Sequence, residues 1–525
     1  MKNYIIHLLI GLMTATALSS CDDFLESKPR NFLDPDDFYI NSANVESGLM
    51  GIYQPLTGLN GGQLYAQTNL LTQLVVSDLE YCNSTSSDYY IQTFNFQSTS
   101  PYVSSYWGGC YVGISRANSF IDRVEEIRIR GLDDKDRDAA VGEAYFLRAF
   151  YYWHLAANWG GVPLLTTFEN DINPHRKRAS LKEVYEQIVK DLKKAEGMVY
   201  EAGAFTHAGR VTRSTVQALL ARVCLYMAGN PLNDKSQYSE AAEWARKVKE
   251  SGLHELNPSY ENLFTRLMYK EYDLDYREMM WEAEFKGATG ETIQTRGRVG
   301  KVNGLTCHDN NLGYAAPQIL VSRVMDDYYL EDPLDTRYAW NVPPFDYGTG
   351  STANIRSRAI ELRSIGKFRL TVSPIPSTTG YSEINFPLMR YADVLLMLAE
   401  AVNETEGPVD EVMDALNRVR RRAGAREVGN RDPDDGTPVI ILSDRDECRE
   451  FIKKERAREL CFEATRRLDL IRWGQLVENV QYMSSIATQI LARRAGNNIS
   501  EKHNLLPIPM TELNSNSLMV QNPGW

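Results

Sequence analysis

The chain has 525 residues, a formal net charge of −12, 43% hydrophobic and 24% charged residues. Those fractions are ordinary for a folded globular protein, and the acidic balance excludes general nucleic-acid binding. The aromatic complement is large, with 29 Tyr, 17 Phe and 8 Trp.

The first twenty residues read as a secretory signal. Lys2 is their only charge, Tyr4 to Leu18 is mostly apolar, and small residues gather at Ser19 and Ser20. The apolar run is short for a membrane span. Leu18-Ser-Ser-Cys21 has the form of a bacterial lipoprotein box, so Cys21 is the expected lipidated N-terminus. Asp22 and Asp23 follow it as an expected export signal, and residues 21–35 read as a lipidated tether.

Helices in pairs follow. A helix is predicted near Ala43 to Leu56, another over Val103 to Ile127, and a clearer one carries Ala144, Leu147, Tyr151 and Leu155 up to Gly160-Gly161. Leu181 to Val199 is amphipathic and reads as its partner. Ser214-Thr-Val-Gln217 has a capping-box pattern and opens a helix ending at Gly229, followed by Tyr238 to Glu250. The theme returns at Tyr391 to Glu404 and Val409 to Arg422. An Ala/Leu-rich first helix with a more charged second one is tetratricopeptide-like packing. The predicted fold class is therefore mainly α: a helical-repeat scaffold with a large irregular, loop-rich insertion. The expected divisions are an N-terminal helical part (36–284), a variable insertion (285–385) rich in Gly, Pro, Ser, Thr and Asn, and a C-terminal helical part (386–525) on the same scaffold.

Enzyme motifs are missing. There is no HExxH, GxSxG or Walker A sequence. Gly348-Thr-Gly350-Ser-Thr-Ala353 reads as a turn, and Asp432-Pro-Asp434-Asp435-Gly436 as a solvated turn without EF-hand spacing. The six cysteines after Cys21 have no CxxC pair, and a Cys82–Cys110 bridge is left open. The basic run Arg418 to Arg426 reads as a solvated helix end. "ERARELCFEATRRLDLIRWG" (455–474) reads as one packed helix with i,i+4 charge pairs on its flanks. Trp107, Trp153, Trp281 and Trp473 fall in periodic segments and are expected in the core.

Several segments in order resemble the SusD/RagB family of outer-membrane nutrient-binding lipoproteins of Bacteroidetes. They are the start at Cys21, "GEAYFLRAFYYWHLAANWGGVPLL" (142–165), "FPLMRYADVLLMLAEAVNE" (386–404), "LNRVRRRAG" (416–424), the 455–474 segment and the tail "LLPIPMTELNSNSLMVQNPGW" (505–525). The resemblance implies four tetratricopeptide-like units and a variable segment that helps build the ligand site. It also implies a surface-exposed, lipid-anchored place on the outer membrane and a SusC-like TonB-dependent transporter as partner. The implied activity is non-catalytic capture of oligosaccharides. Oligopeptide capture, or a protein-interaction scaffold, stands as the alternative.

The resemblance points to two loop regions for the ligand. Exposed rings stack on sugar C–H faces, and Asn, Asp or Arg satisfy hydroxyls. The first region offers Tyr81, Asn83, Tyr89 and Tyr90, and the second Asp309, Asn310, Tyr314 and Trp340. Trp340 is the foremost expected platform because its surroundings lack helical periodicity. Of the adjacent Tyr89 and Tyr90, at most one would face the ligand. No cofactor is expected, and a role for calcium is left open.

Overall fold

The computed structural model describes residues 38–58, 64–68, 77–84, 91–168, 175–286, 295, 297–309, 314–348, 355–372, 381–431 and 439–525. The lipobox and tether, with Cys21, Asp22 and Asp23, lie outside the described residues, as do Tyr89, Tyr90, Asn310 and the 432–436 turn.

Helices dominate, as the periodicity predicts. In chain order they are α1 (Ser42–Thr57), α2 (Pro101–Val124), α3 (Asp134–Trp159), α4 (Leu181–Glu196), α5 (Arg213–Ala228), α6 (Gln237–Glu250) and α7 (Tyr260–Tyr269). After the middle segment come α8 (Arg323–Leu330), α9 (Arg337–Asn341), α10 (Tyr391–Glu406), α11 (Asp410–Arg422), α12 (Arg445–Leu460), α13 (Arg466–Arg472), α14 (Leu476–Ile486), α15 (Ile490–Asn498) and α16 (Met510–Ser515). From α1 to α6 each helix packs on the one before it, and α6 then packs directly on α10. The repeat stack therefore runs straight through, and residues 251–390 loop out from it.

Burial explains the alternation of helix types. α5 is buried on all sides from Ser214 to Ala228, and α10 from Tyr391 to Asn403. A helix hydrophobic all round belongs between two layers, whereas the charged α6 and α11 each cover one side. Ala218, Ala221, Ala399 and Ala401, all fully buried, let neighbours approach closely.

The chain-end signals are partly rewritten by tertiary contacts. Ser180 and Glu183 form a real capping box at α4. The expected box at Ser214 does not form: α5 starts at Arg213. Ser214 Oγ instead bonds His254 Nε2 at 2.8 Å, and Gln217 donates to Glu196 at 2.8 Å.

Among the described residues four two-strand pairs complete the fold. They are β1 (Glu80–Cys82) with β3 (Ile319–Val321), β2 (Met279–Ala283) with β6 (Phe386–Arg390), β4 (Phe345–Tyr347) with β5 (Ile355–Ser357), all antiparallel, and the parallel β7 (Val428–Gly429) with β8 (Ile440–Ile441). β2 and β6 close the neck from which the middle segment emerges. That segment is not wholly irregular: α8 and α9 stand inside it, too short to leave a periodic signature. Trp107, Trp153 and Trp281 are buried, Trp281 on a strand, and Trp473 is half-buried. All six described cysteines are buried free thiols, so Cys82 and Cys110 are not bridged.

The largest departure from the sequence reading is ionic. Residues 455–474 do not form one helix. α12 stops at Leu460, Phe462 and Ala464 take left-handed backbone, and α13 begins at Arg466. Glu459 and Glu463 are drawn inward rather than paired along a surface. Glu459 accepts from Arg337 at 2.9 Å, Arg390 at 3.0 Å and Arg422 at 2.6 Å. Glu463 accepts from Lys367 at 2.6 Å and Arg390 at 2.7 Å. Nor is the basic run simply solvated. Arg420 reaches Asp332 and Glu455 at 2.6 Å each, and Arg422 reaches Glu278. This buried lattice ties the middle segment (Asp332, Asp335, Arg337, Lys367) to α11 and α12, where apolar contacts alone would let it slide.

Candidate ligand-binding surface

Strand pairing brings the two expected loops together. β1 and β3 join in the register Glu80↔Val321, Tyr81↔Leu320 and Cys82↔Ile319, and Asn83 N donates to Gln318 O at 2.7 Å. The chain after Cys82 therefore leaves beside the chain entering β3. β1 itself is fixed from below: Arg466 grips the Asp78 carboxylate in a two-bond fork at 2.8 and 2.7 Å, and Ser322 Oγ donates to Asp78 O at 2.6 Å.

Above this ribbon stands a second hairpin. Cys307 and Ala315 exchange both backbone hydrogen bonds at 2.8 Å. The next pair out, His308 and Tyr314, is then a non-hydrogen-bonded pair whose side chains meet on one face. Their rings stack at 5.8 Å between centroids with planes 23° apart, and Tyr314 is 43% exposed. A third strand borders them: Tyr347 N donates to Thr306 O, and His308 N to Tyr347 O. Tyr347 is half-buried and packs edge-on against Phe345 at 5.6 Å. The β4–β5 hairpin is held by Asp346, buried between Arg356 and Arg358. Lys301 Nζ donates to Tyr314 O, and burial pushes its pKa down to about 8.

The sequence candidates divide accordingly. Asn83 is exposed and Tyr314 stands in the open aromatic pair. Tyr81 is 2% exposed and donates its hydroxyl to Glu361 O, so it braces the ribbon. Asp309 is buried behind the hairpin. Trp340 is placed elsewhere. It sits on α9, 7% exposed, with the Arg369 guanidinium 3.7 Å above its ring and donating to its carbonyl. That stack occupies the ring face a sugar would use. Burial lowers the Arg369 pKa to about 10. Trp340 with Tyr260, Glu261, Arg369 and Arg422 lines a separate pocket of about 380 Å³.

His308 and Lys301 were not singled out from sequence. His308 adjoins Asp309, an expected site residue, but its place across from Tyr314 is set by the Cys307–Ala315 backbone pair. Lys301 carried no local signal. Among the described residues no group of three His, Cys, Asp or Glu could hold a metal ion, and no helix is long and apolar enough to cross a membrane. Among the described residues the surface offers stacked rings, peptide and side-chain amides and the Lys301 ammonium.

Comparison with known proteins gives this surface its context. A model of the SusD family matches residues 336–525, and a second model, described as "Starch-binding associating with outer membrane", matches residues 23–225. SusD-like protein P2 of Formosa agariphila is 27% identical, with 100% of both chains covered. The chain belongs to the SusD family. The starch-binding protein SusD of Bacteroides thetaiotaomicron is 25% identical over 78% of this chain and 76% of its own. A crystal structure of a SusD homolog from the same organism superposes with a TM-score of 0.84 at 26% identity, covering 94% of this chain and 98% of that one. The α1–α6 stack continuing into α10 is thus the scaffold of a SusD-family member.

Proposed function

We propose that this SusD-family chain is a non-catalytic binding lipoprotein of the outer membrane. It captures an oligosaccharide at the cell surface and delivers it to a SusC-like TonB-dependent transporter. The observation that carries the reading is the His308–Tyr314 stack, an exposed tyrosine against a half-buried histidine, on a hairpin whose backbone is bonded to β4. A pyranose presents an apolar C–H face to such rings, while Asn83 and the Gln318 side chain lie within the same ribbon to take its hydroxyls. Starch binding by a relative supports the same ligand class. Tyr89, Tyr90 and Asn310, in the stretches of sequence that follow Asn83 and Asp309, are proposed to complete the contact. Tyr81, Asp309 and Trp340 are assigned to the frame. Lipidation at Cys21, with Asp22 and Asp23 as export signal, places the surface outside the cell.

Isothermal titration against maltoheptaose, laminarihexaose, xylohexaose and a tripeptide library tests the reading. One glycan is expected to bind, and Tyr314→Ala is expected to weaken it about tenfold, the worth of one well-placed ring contact. Binding of peptides alone, or a glycan affinity unmoved by Tyr314→Ala, would overturn it.

A further inference from the structure

A cleft of about 370 Å³ opens on another part of the molecule, between the middle of α2, the segment 163–168 that leaves α3, and α16. It shares no residue with the surface above. That volume is within the range of small-molecule sites. One stripe of α2 forms its floor: Trp107, Gly108, Tyr111, Ile114 and Asn118.

The polar groups that shape the cleft are already engaged with the backbone. Tyr111 donates its hydroxyl to Pro163 O at 2.8 Å, and the Asn118 amide donates to Leu165 O and Thr167 O. These bonds fix the wall and leave the rings facing the space. Trp107 and Tyr111 lie 5.1 Å apart with planes 46° from each other, and Phe168 closes the far side.

Three features point to an occupant. Among the described residues the Trp107 indole N–H has no acceptor, and it is not sealed in as the N–H groups of Trp153 and Trp340 are. Glu512 on the rim accepts from Asn516 through Oε1, which leaves Oε2 without a donor among the described residues. A Cβ added at Gly108 would meet nothing within 4 Å, so the floor has room above it. Rings, one free donor and one free acceptor are what a sugar ring uses: a C–H face for stacking, one hydroxyl accepting from Trp107 and another donating to Glu512. Arg176 and Glu512 share the rim with opposite charges, so neither a cation nor an anion is favoured outright.

We infer that this cleft is a second carbohydrate subsite, taking one or two neutral pyranose units, and that the protein is bivalent for its glycan. Two modest sites on one rigid body raise the retention of a long polymer without any new contact at either. The inference rests on the carbohydrate reading for the class of ligand alone.

The test uses full-chain protein labelled with 5-fluorotryptophan, with the Trp107 resonance assigned through Trp107→Phe. Maltose, laminaribiose, cellobiose, xylobiose and mannobiose are titrated by ¹⁹F NMR. At least one disaccharide is expected to shift the Trp107 resonance, in wild type and equally in the Tyr314→Ala, His308→Ala double variant. Gly108→Phe, which fills the floor, is expected to abolish that binding. Phe168→Ala, at the rim, is expected to weaken it and serves if Gly108→Phe does not fold. A Trp107 resonance unmoved by every sugar, or a saturable shift that survives both cleft variants, overturns the inference. If all glycan binding vanishes in the Tyr314→Ala, His308→Ala variant, the second subsite is refuted and the first surface stands. If the double variant keeps its glycan binding and Gly108→Phe loses all glycan binding by calorimetry, the first surface is refuted and the cleft stands.

Discussion

Replacing Glu459 by Gln removes one carboxylate from the buried lattice and nothing else of its volume. Glu459 is 0% exposed and accepts from three guanidinium groups: Arg337 on α9, Arg390 on β6 and Arg422 on α11. Burial opposes its charge, but Arg422, Arg390 and Arg337 together hold the carboxyl far below the usual range, so the anion is the native form. A glutamine keeps one acceptor oxygen and turns an amide N–H₂ toward a guanidinium, donor against donor. Breaking a buried pair by removing one partner costs about 3–5 kcal/mol, because the remaining charges stay buried without compensation. At about 2.1 cal/mol/K per residue, roughly 500 residues melting as one unit have an unfolding entropy near 1 kcal/mol/K. The expected fall in Tm by scanning calorimetry is therefore about 3–5 °C. Because Arg337 belongs to the middle segment, limited proteolysis is also expected to cut between 285 and 385 sooner. Glu450→Gln is the control. That carboxylate is exposed, pairs with Lys453, and is expected to change Tm by less than about 0.5 °C. A Glu459→Gln variant that melts with wild type and resists protease equally would show that the lattice does not fasten the segment.

Other expectations follow from the same lattice and its neighbours. Burial would raise Asp393, but Arg456 and Arg222 hold it at about 2; burial would raise Glu400, but Arg472 holds it at about 2. Both pKa values are depressed, so their stabilisation is present above about pH 4.5 and lost as pH falls toward 2, about 2 and 3 kcal/mol respectively. Urea midpoints measured from pH 6 to pH 2.5 are expected to fall along that limb, and Glu400→Gln to flatten it. Glu282 has the opposite sign: burial raises it to about 7, so its charging opposes folding as pH rises from 4.5 through 7. Glu282→Gln can keep the bond from Asn385 and is expected to gain about 3 kcal/mol at pH 8 and almost nothing at pH 4, read from the same urea series. Trp340→Ala, which unroofs the Arg369 stack, is expected to cost about 3 kcal/mol of stability while leaving glycan affinity unchanged by titration. An affinity loss without a stability loss would return Trp340 to the ligand.

By itself the sequence determined the helical scaffold, because burial along a helix repeats every 3.6 residues and is written in local order. α3, α5 and α10 read as Ala-rich inner helices and α4, α6 and α11 as charged outer ones for that reason. The family resemblance was equally local. The charged segments went the other way. Arg420, Arg422, Glu459 and Glu463 look like solvated flanks, because i,i+4 spacing records neighbours on one helix and is silent about partners such as Arg337 or Glu278. The capping box at Ser214 failed on the same account, since His254 took its hydroxyl. The candidate ligand surface depended on the tertiary structure most of all. Asn83 and Tyr314 were legible as exposed polar and aromatic loop residues, but β1 had to pair with β3, far away in the chain, before Asn83 stood beside Gln318, four residues along the chain from Tyr314. Whether a ring is open or covered is also non-local: Tyr314 and Trp340 look alike in sequence, and only the guanidinium of Arg369, folded onto one of them, separates a platform from a piece of the frame.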